Sequence, residues 1–432
     1  DLETCKSIAE CQTKYNWPEY IQCDTGKNNK PRVLSAARLV KGAMRLSGSV
    51  QTLDSDVLKN IKRSNISGDS LMQLAVEAAE IDADSRSEII LGLPGESLKS
   101  HFQTIDTVID ARFNHVNTYQ LMMLPGTEID SPETRQKFDM KTRFRILPRC
   151  FGYYDVLGKQ MVAAEIEEVC VSTNTLSFED YIKCRKMHLL IHIYHNDGLF
   201  NTALEFIKFL KLSPYSWLKL LFEEKMIGGV KELFEKYQQD TRQELWLNRD
   251  ELVQNIQNPG VVDSYISGDL GYNLLFVHKA IAMSRFVPDL KKFAKLTLEK
   301  LLSENNLNSI ENLDFLNDAL NYDACSISNI FENIEKTPTA DMKYDVQKLI
   351  SEKNKKLEEF LFKKPTTISF TMNESQRDIL TRSLELYGST DLGVSRILTK
   401  VFVKKILRTG SIPDKSQKSD IQIKNAADWP YC

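Results

Sequence analysis

Residues 88–96 read Glu88-Ile-Ile-Leu-Gly-Leu-Pro-Gly-Glu96. A near-continuous apolar run ending at Leu91 has the make-up of a strand buried on both faces of a parallel sheet. It stops at Gly92, and Pro94 and Gly95 turn the chain before a helical pattern begins at Ser97. Strand, tight joint and helix in that order make one βα unit. Without a Cβ, Gly92 and Gly95 let a ligand approach the backbone, and the N-terminus of the new helix favours an anionic group. A tight joint with no ligand reads the same way, so the stretch speaks to fold before function.

Outward from this stretch the alternation continues. On the N-terminal side, helices are expected over residues 2–15, over a segment opened by Pro31, and over 55–63 and 71–81; strands are expected at 20–23 and 44–51. On the C-terminal side, a helix over 97–111 leads to a strand over 116–124. Four strands are too few for a closed barrel but suit part of one. The expected fold class is α/β, a partial parallel (β/α) TIM-like barrel followed by a mainly α-helical domain. Ligands of such a sheet bind at the C-terminal ends of its strands, where 49–51, 92–96 and 124–127 fall.

After about residue 130 the alternation stops. The expected divisions are a barrel part over 1–130, an irregular extension over 131–176 with a further strand at 163–171, and a helical part over 177–432 with a sub-boundary near 335–365. Ser177 with Asp180 has the form of a helix N-cap. Helices are expected over 178–195, 201–210, 215–224, 230–244, 273–283, 290–304, 340–361, 374–387 and 391–408, with a strand at 366–371 and a polar tail.

Composition narrows the function classes. The chain has 432 residues and a net charge of −3, so no basic field calls for nucleic acid. No apolar run reaches the ~20 residues of a membrane span. Eight cysteines are scattered with no CxxC pair, which fits reduced thiols in a cytoplasmic protein. The chain begins at Asp1 rather than Met, and its true start is expected to lie upstream.

Two further segments carry polar chemistry. In Ser47-Gly-Ser-Val-Gln-Thr-Leu-Asp54, alternation would put Ser49 and Gln51 on one face, able to bond ribose hydroxyls or an amino-acid head group. Arg63 could clamp a carboxylate, or simply sit on a wet helix face. In Tyr119-Gln-Leu-Met-Met-Leu-Pro-Gly-Thr127, the apolar residues around Leu124 could pack a purine or belong to the core. His188, His192 and His195 share one helix face, but their apolar neighbours favour a half-buried helix over a metal site.

In order and spacing, "SVQTLD…LKNIKR" (49–63), "EIILGLPGES" (88–97) and "YQLMMLPGTEI" (119–129) resemble the radical S-adenosylmethionine (SAM) superfamily. The resemblance is nearest to its cobalamin-binding-domain branch. It covers about residues 1–200, from "KYNWPEYIQCDTGKNN" (14–29) through "RILPRCFGYY" (145–154) to "LSFEDYIKCRKMHLLIHIYHNDGLF" (176–200). It implies that Gln51, with Ser49 beside it, contacts SAM, and that Arg63 pairs with the SAM carboxylate. It implies that Glu88 reaches the ribose and that Gly92, Gly95 and Leu124 lie near adenine. The implied activity is reductive SAM cleavage to a 5′-deoxyadenosyl radical, or cobalamin-assisted methyl transfer. The implied cofactors are SAM, a [4Fe-4S] cluster and, in the branch's N-terminal domain, cobalamin. The implied partners are a small-molecule substrate and an electron donor such as a flavodoxin or ferredoxin.

The departure is large, because the family's CxxxCxxC cluster loop is not in this sequence. Cys5 and Cys11 have no third partner, and they fall in an expected helix. The expectation is therefore the C-terminal part of such an enzyme, inactive by itself. A non-catalytic scaffold or interaction module, and another nucleotide-binding βα enzyme, are the alternatives.

Overall fold

The structure is a computed structural model that describes residues 1–412 except 19, 22, 24, 26–29, 65–72, 74, 79–84, 259, 268–269 and 353–354. The helix expected over 71–81 and the polar tail lie largely or wholly outside the described residues.

The first part is a succession of βα units. Helix α1 (Leu2–Tyr15) starts at Asp1, whose carboxylate accepts the Leu2 N–H. Helix α2 (Lys30–Leu39) has Pro31 in its first turn, where a missing N–H breaks no helical bond. Strand β1 (Leu46–Ser47) precedes α3 (Ser55–Asn60), which Asp54 caps by accepting the Asp56 and Val57 N–H groups. Strand β2 (Ser85–Leu91), helix α4 (Leu98–Asp110) and strand β3 (His115–Gln120) complete the run. The three strands form a parallel sheet in the order β1-β2-β3. A parallel bridge at Ile21↔Met44 is what the structure shows of the strand expected at 20–23. The architecture is mixed α/β with a three-stranded parallel sheet, and no closed barrel is formed by the described residues.

Strand β2 departs from its expected character. Ser85, Ser87, Ile89 and Leu91 are buried, while Arg86, Glu88 and Ile90 between them are half-buried. The sheet therefore has one dry face and one wetter face. Arg86 and Glu88 lie side by side on the wetter face, and their charge accounts for its access to water.

Residues 131–176 are not irregular. Helix α5 (Pro132–Lys137) is followed by a long antiparallel hairpin, β4 (Lys141–Val156) and β5 (Lys159–Ser172). The strand expected at 163–171 is thus the return arm of a hairpin. Its end meets the parallel sheet through an antiparallel bridge, Met122↔Val169.

The remainder is largely helical: α6 (Phe178–Tyr194), α7 (Asn201–Phe209), α8 (Pro214–Glu223), α9 (Gly228–Gln243), α10 (Arg249–Ile256), α11 (Val261–Ser267), α12 (Leu274–Arg285), α13 (Val287–Glu304) and α14 (Ile310–Ile327). Ser177 caps α6 as expected, accepting the Asp180 N–H at 3.1 Å. The helix expected over 340–361 is instead strand β6 (Thr339–Tyr344) and helix α15 (Val346–Ser351), and a short 3-10 helix at Leu357–Phe360 leads into strand β7 (Leu361–Thr371). Helices α16 (Glu374–Tyr387) and α17 (Asp391–Lys400) and strand β8 (Thr409–Ser411) close the described chain. One hydrophobic core runs through Leu46, Ile89 and Val116 of the sheet, Ile105 and Ile109 of α4, Leu190 of α6 and helices as distant as α14. Helix α6 lies between the sheet and the later helices, which is why even its polar residues Arg185, His188 and His192 are buried.

Candidate functional site

At the C-terminal ends of the three parallel strands, the loops at 49–54, 92–96 and 121–128 draw together. Asn60, the last residue of α3, donates to the Pro94 carbonyl at 3.0 Å. Lys62 pairs with Glu128 at 2.6 Å. Arg63 follows directly, exposed, with its N–H on the Leu58 carbonyl.

The centre of the arrangement is a short hydroxyl–carboxylate row. Ser47 Oγ and Ser49 Oγ lie 2.9 Å apart, and Ser49 Oγ donates to Glu88 Oε2 at 2.9 Å. The Arg86 guanidinium stands 3.9 Å from Glu88 Oε1. Tyr119, on the same face of β3, is 49% exposed; burial and the Glu88 charge push its phenol above its ordinary pKa. Glu88 thus keeps one oxygen loosely held on a water-accessible face, and such a carboxylate can accept hydrogen bonds from a diol.

Gln51 is placed differently from the expected alternation. The Val50 and Gln51 N–H groups converge on the Glu88 carbonyl, at 3.2 and 2.7 Å, as at a bulge. Gln51 has φ +63 and still bridges Ile89. The bulge breaks the pattern between Ser49 and Gln51, so a shared face no longer follows from their spacing.

The two glycines serve packing against protein. Gly92 (φ +90) brings its α-carbon so close to β5 that a Cβ would stand 3.1 Å from the Cys170 carbonyl oxygen. At Gly95 (φ +86) a Cβ would stand 2.6 Å from Asn60 Nδ2. Fully buried Glu96 accepts the Gly92 N–H at 2.7 Å and contacts His101 Nδ1 at 2.8 Å. His101 Nε2 meets His188 Nε2 at 2.9 Å. Burial, helped by His101, holds His188 well below the ordinary histidine pKa, so it is a neutral ring. Leu124 is 53% exposed, and its carbonyl accepts from Thr127 Oγ1 at 2.8 Å in the closing turn.

The structure therefore brings Ser49 and Glu88 together, sets Gln51 beside them in the backbone, and places Arg63 and Leu124 in loops at the same end of the sheet. The polar chain from Glu96 to His188 was not foreseen, because its members His101 and His188 lie 87 residues apart. The regular spacing of His188, His192 and His195 was its one signal in the sequence. Among the described residues no three His, Cys, Asp or Glu side chains are grouped to hold a metal ion. All seven described cysteines are free thiols, of which Cys5, Cys170 and Cys184 are buried. Among the described residues a [4Fe-4S] cluster has no set of ligands. No helix among the described residues is long and apolar enough to cross a membrane.

No family model matches the chain. Among curated proteins it is 28% identical, over 201 residues, to the 2-(S-pantetheinyl)-carbapenam-3-carboxylate methyltransferase of Streptantibioticus cattleyicolor, a match that covers 45% of this chain and 29% of the relative. It is 27% identical over the same length to the cobalamin-dependent radical SAM methyltransferase TokK of Streptomyces tokunonensis, with the same coverage. It is also 28% identical over 148 residues to the heme chaperone HemW of Buchnera aphidicola, covering 33% of this chain and 38% of that protein. The chain spans less than a third of the length of the two methyltransferases it matches. Together with the loops gathered at the ends of its parallel strands, these similarities make the chain a relative of the radical SAM superfamily.

Proposed function

We propose that this chain carries the SAM-binding second half of a radical SAM domain whose cluster-binding loop lies outside its 432 residues. The hydrogen-bonded row Ser47–Ser49–Glu88 on the wetter face of the sheet supports this most strongly. Glu88 accepts the ribose hydroxyls and Ser49 holds that carboxylate in position. Arg63 pairs with the methionyl carboxylate, which a guanidinium can grip with two parallel bonds. The half-exposed residues Met122 and Leu124 offer the adenine ring an apolar surface. When bound, SAM supplies a 5′-deoxyadenosyl radical on reductive cleavage, or a methyl group in cobalamin-assisted transfer. The chain's own residues bind and orient it. The substrate is a small molecule, and the electron donor is a flavodoxin- or ferredoxin-like protein.

The experiment is photolabelling with 8-azido-SAM followed by peptide mapping. Label is expected in residues 88–96 or 119–127. Label confined to the helical part, or none that unlabelled SAM competes away, would overturn the assignment. A second reading is a module that binds without turnover, favoured by the match to a protein named as a chaperone. It predicts SAM binding with no SAM cleavage even when a cluster-bearing N-terminal part is supplied.

A further inference from the structure

A second cavity, of about 270 Å³, opens beside the outer edge of β3, walled by that strand, β4, α6 and α12. Its polar lining divides into two sets. Arg145 is fully engaged: it pairs with Glu167, bonds Glu244 at 2.9 Å and reaches Gln120 at 3.2 Å. Those four groups satisfy one another and leave nothing to explain.

The second set is unsatisfied. Arg185 is 3% exposed, makes no ion pair among the described residues, and has its guanidinium 5.6 Å from the Tyr237 ring; its Nε has no hydrogen-bond partner. His192 is 2% exposed, and neither ring nitrogen has a partner. Thr118 Oγ1, on β3, is also buried without a partner. All three residues line the same cavity. Buried polar atoms are nearly always bonded, and a buried cation without a counter-charge is costly. One such atom could be an accident of packing, whereas three residues around one cavity describe the shape of something that fits there. Burial, with Lys279 and His115 adding to it, holds His192 well below the ordinary histidine pKa, so the ring is neutral with one donor and one acceptor. Lys279 does not compete for the anion, because Asp197 already pairs with it. Phe276 and Met122 supply apolar wall.

We propose that this cavity is a binding site for a small oxyanion-bearing molecule, a carboxylate or a phosphate, held by Arg185, with His192 and Thr118 bonding its remaining polar atoms. The size sets a limit, since about 270 Å³ lies just below the usual range of ligand pockets. The site borders the SAM assignment, since Tyr119 and Met122 line it, but Ser49, Gln51, Arg63 and Glu88 do not, so different residues test the two. Either assignment can fail while the other stands.

Two probes separate the two sources of the anion: inorganic phosphate and succinate, each titrated calorimetrically into the whole chain. One of them is expected to saturate, and the one that does identifies the class. Arg185→Met is expected to weaken that probe at least tenfold, and Thr118→Val several-fold, with far-ultraviolet circular dichroism unchanged. Phenylglyoxal modification of the unaltered chain, read at Arg185 by mass spectrometry, does not depend on any variant folding. The binding probe should slow modification of Arg185 but leave exposed arginines outside both sites, such as Arg249, unaffected. The proposal is overturned if neither probe saturates or protects Arg185, or if Arg185→Met binds as well as the unaltered chain.

Discussion

Single residues at the head of α4 carry two separate demands. Gly95 lies at φ +86 with Asn60 against it, and Asn60 must stay to hold the Pro94 carbonyl. Gly95→Ala therefore combines a left-handed backbone penalty with a steric clash. It should cost about 2 kcal/mol in denaturant unfolding. An unchanged midpoint would mean that the loop has room that the structure does not show. Glu96 is a different case: its carboxylate is the partner of a backbone N–H and of His101. Glu96→Ala leaves both buried and unpaired, with an expected loss of about 3 kcal/mol. Glu96→Gln should lose less than half of that, since its amide oxygen still accepts one bond. The fragment Gly-Leu-Pro-Gly-Glu was legible as a joint from its residue types alone. Its use of Glu96 to close the joint on itself was not, because the partner histidine on α4 is itself oriented by α6.

At the scale of elements, strand β3 ends the parallel sheet, and its outer edge needs a partner. Asn196 supplies one by side chain: Oδ1 accepts the Val116 N–H and Nδ2 donates to the Val116 carbonyl, both at 2.9 Å. Asn196→Ala strands two buried backbone groups and should cost about 2–4 kcal/mol. Hydrogen exchange should speed up first at Val116; exchange as slow as in the unaltered chain would remove Asn196 from that role. Helix α7 depends on Asp323, whose two oxygens accept the Thr202 and Ala203 N–H groups at 3.0 Å each. Burial pushes this carboxyl up to about 7, against those N–H groups, which favour its charge. The unfolded chain releases the proton near pH 4, as an ordinary aspartate does. Between about pH 4 and 7 the folded form thus holds one proton more, and stability falls as pH rises through that window. The fall is on the order of 3–4 kcal/mol, and Asp323→Asn should flatten it; equal slopes in both proteins would refute the link.

Elements also show where sequence patterning reaches its limit. The βα alternation before residue 130 was legible because short apolar runs end in Gly, Pro or Asn. Strand β4 was not, since most of its positions are half-buried or exposed and its register shifts between Ile146 and Phe151, which spoils any period of two. Helix α14 carries three Asn and three Asp among its 18 residues, poor helix formers, and packing of Phe315, Leu316, Ala319 and Leu320 overrides them. Residues 339–344 have helix-like composition. They are drawn into a strand by pairing with β7, which buries Met342 and Tyr344.

For the molecule as a whole, the continuous core joins the parallel sheet to the helices behind it through α6. Helix α6 thereby contributes to both candidate sites: His188 ends the polar chain that braces the glycine joint, and Arg185 and His192 line the cavity beyond β3. The family resemblance could be read from the order and spacing of three segments, and the relatives agree with it. Which side chains meet could not be read that way, since Ser49 and Glu88 are 39 residues apart. The central claim is that the Ser49–Glu88 row with Arg63 binds SAM. It is tested most directly by equilibrium dialysis of labelled SAM against the unaltered chain, Glu88→Ala and Arg63→Ala. Each variant should bind at least tenfold more weakly, about 1.4 kcal/mol, while remaining folded. Equal affinity in all three proteins would contradict the account.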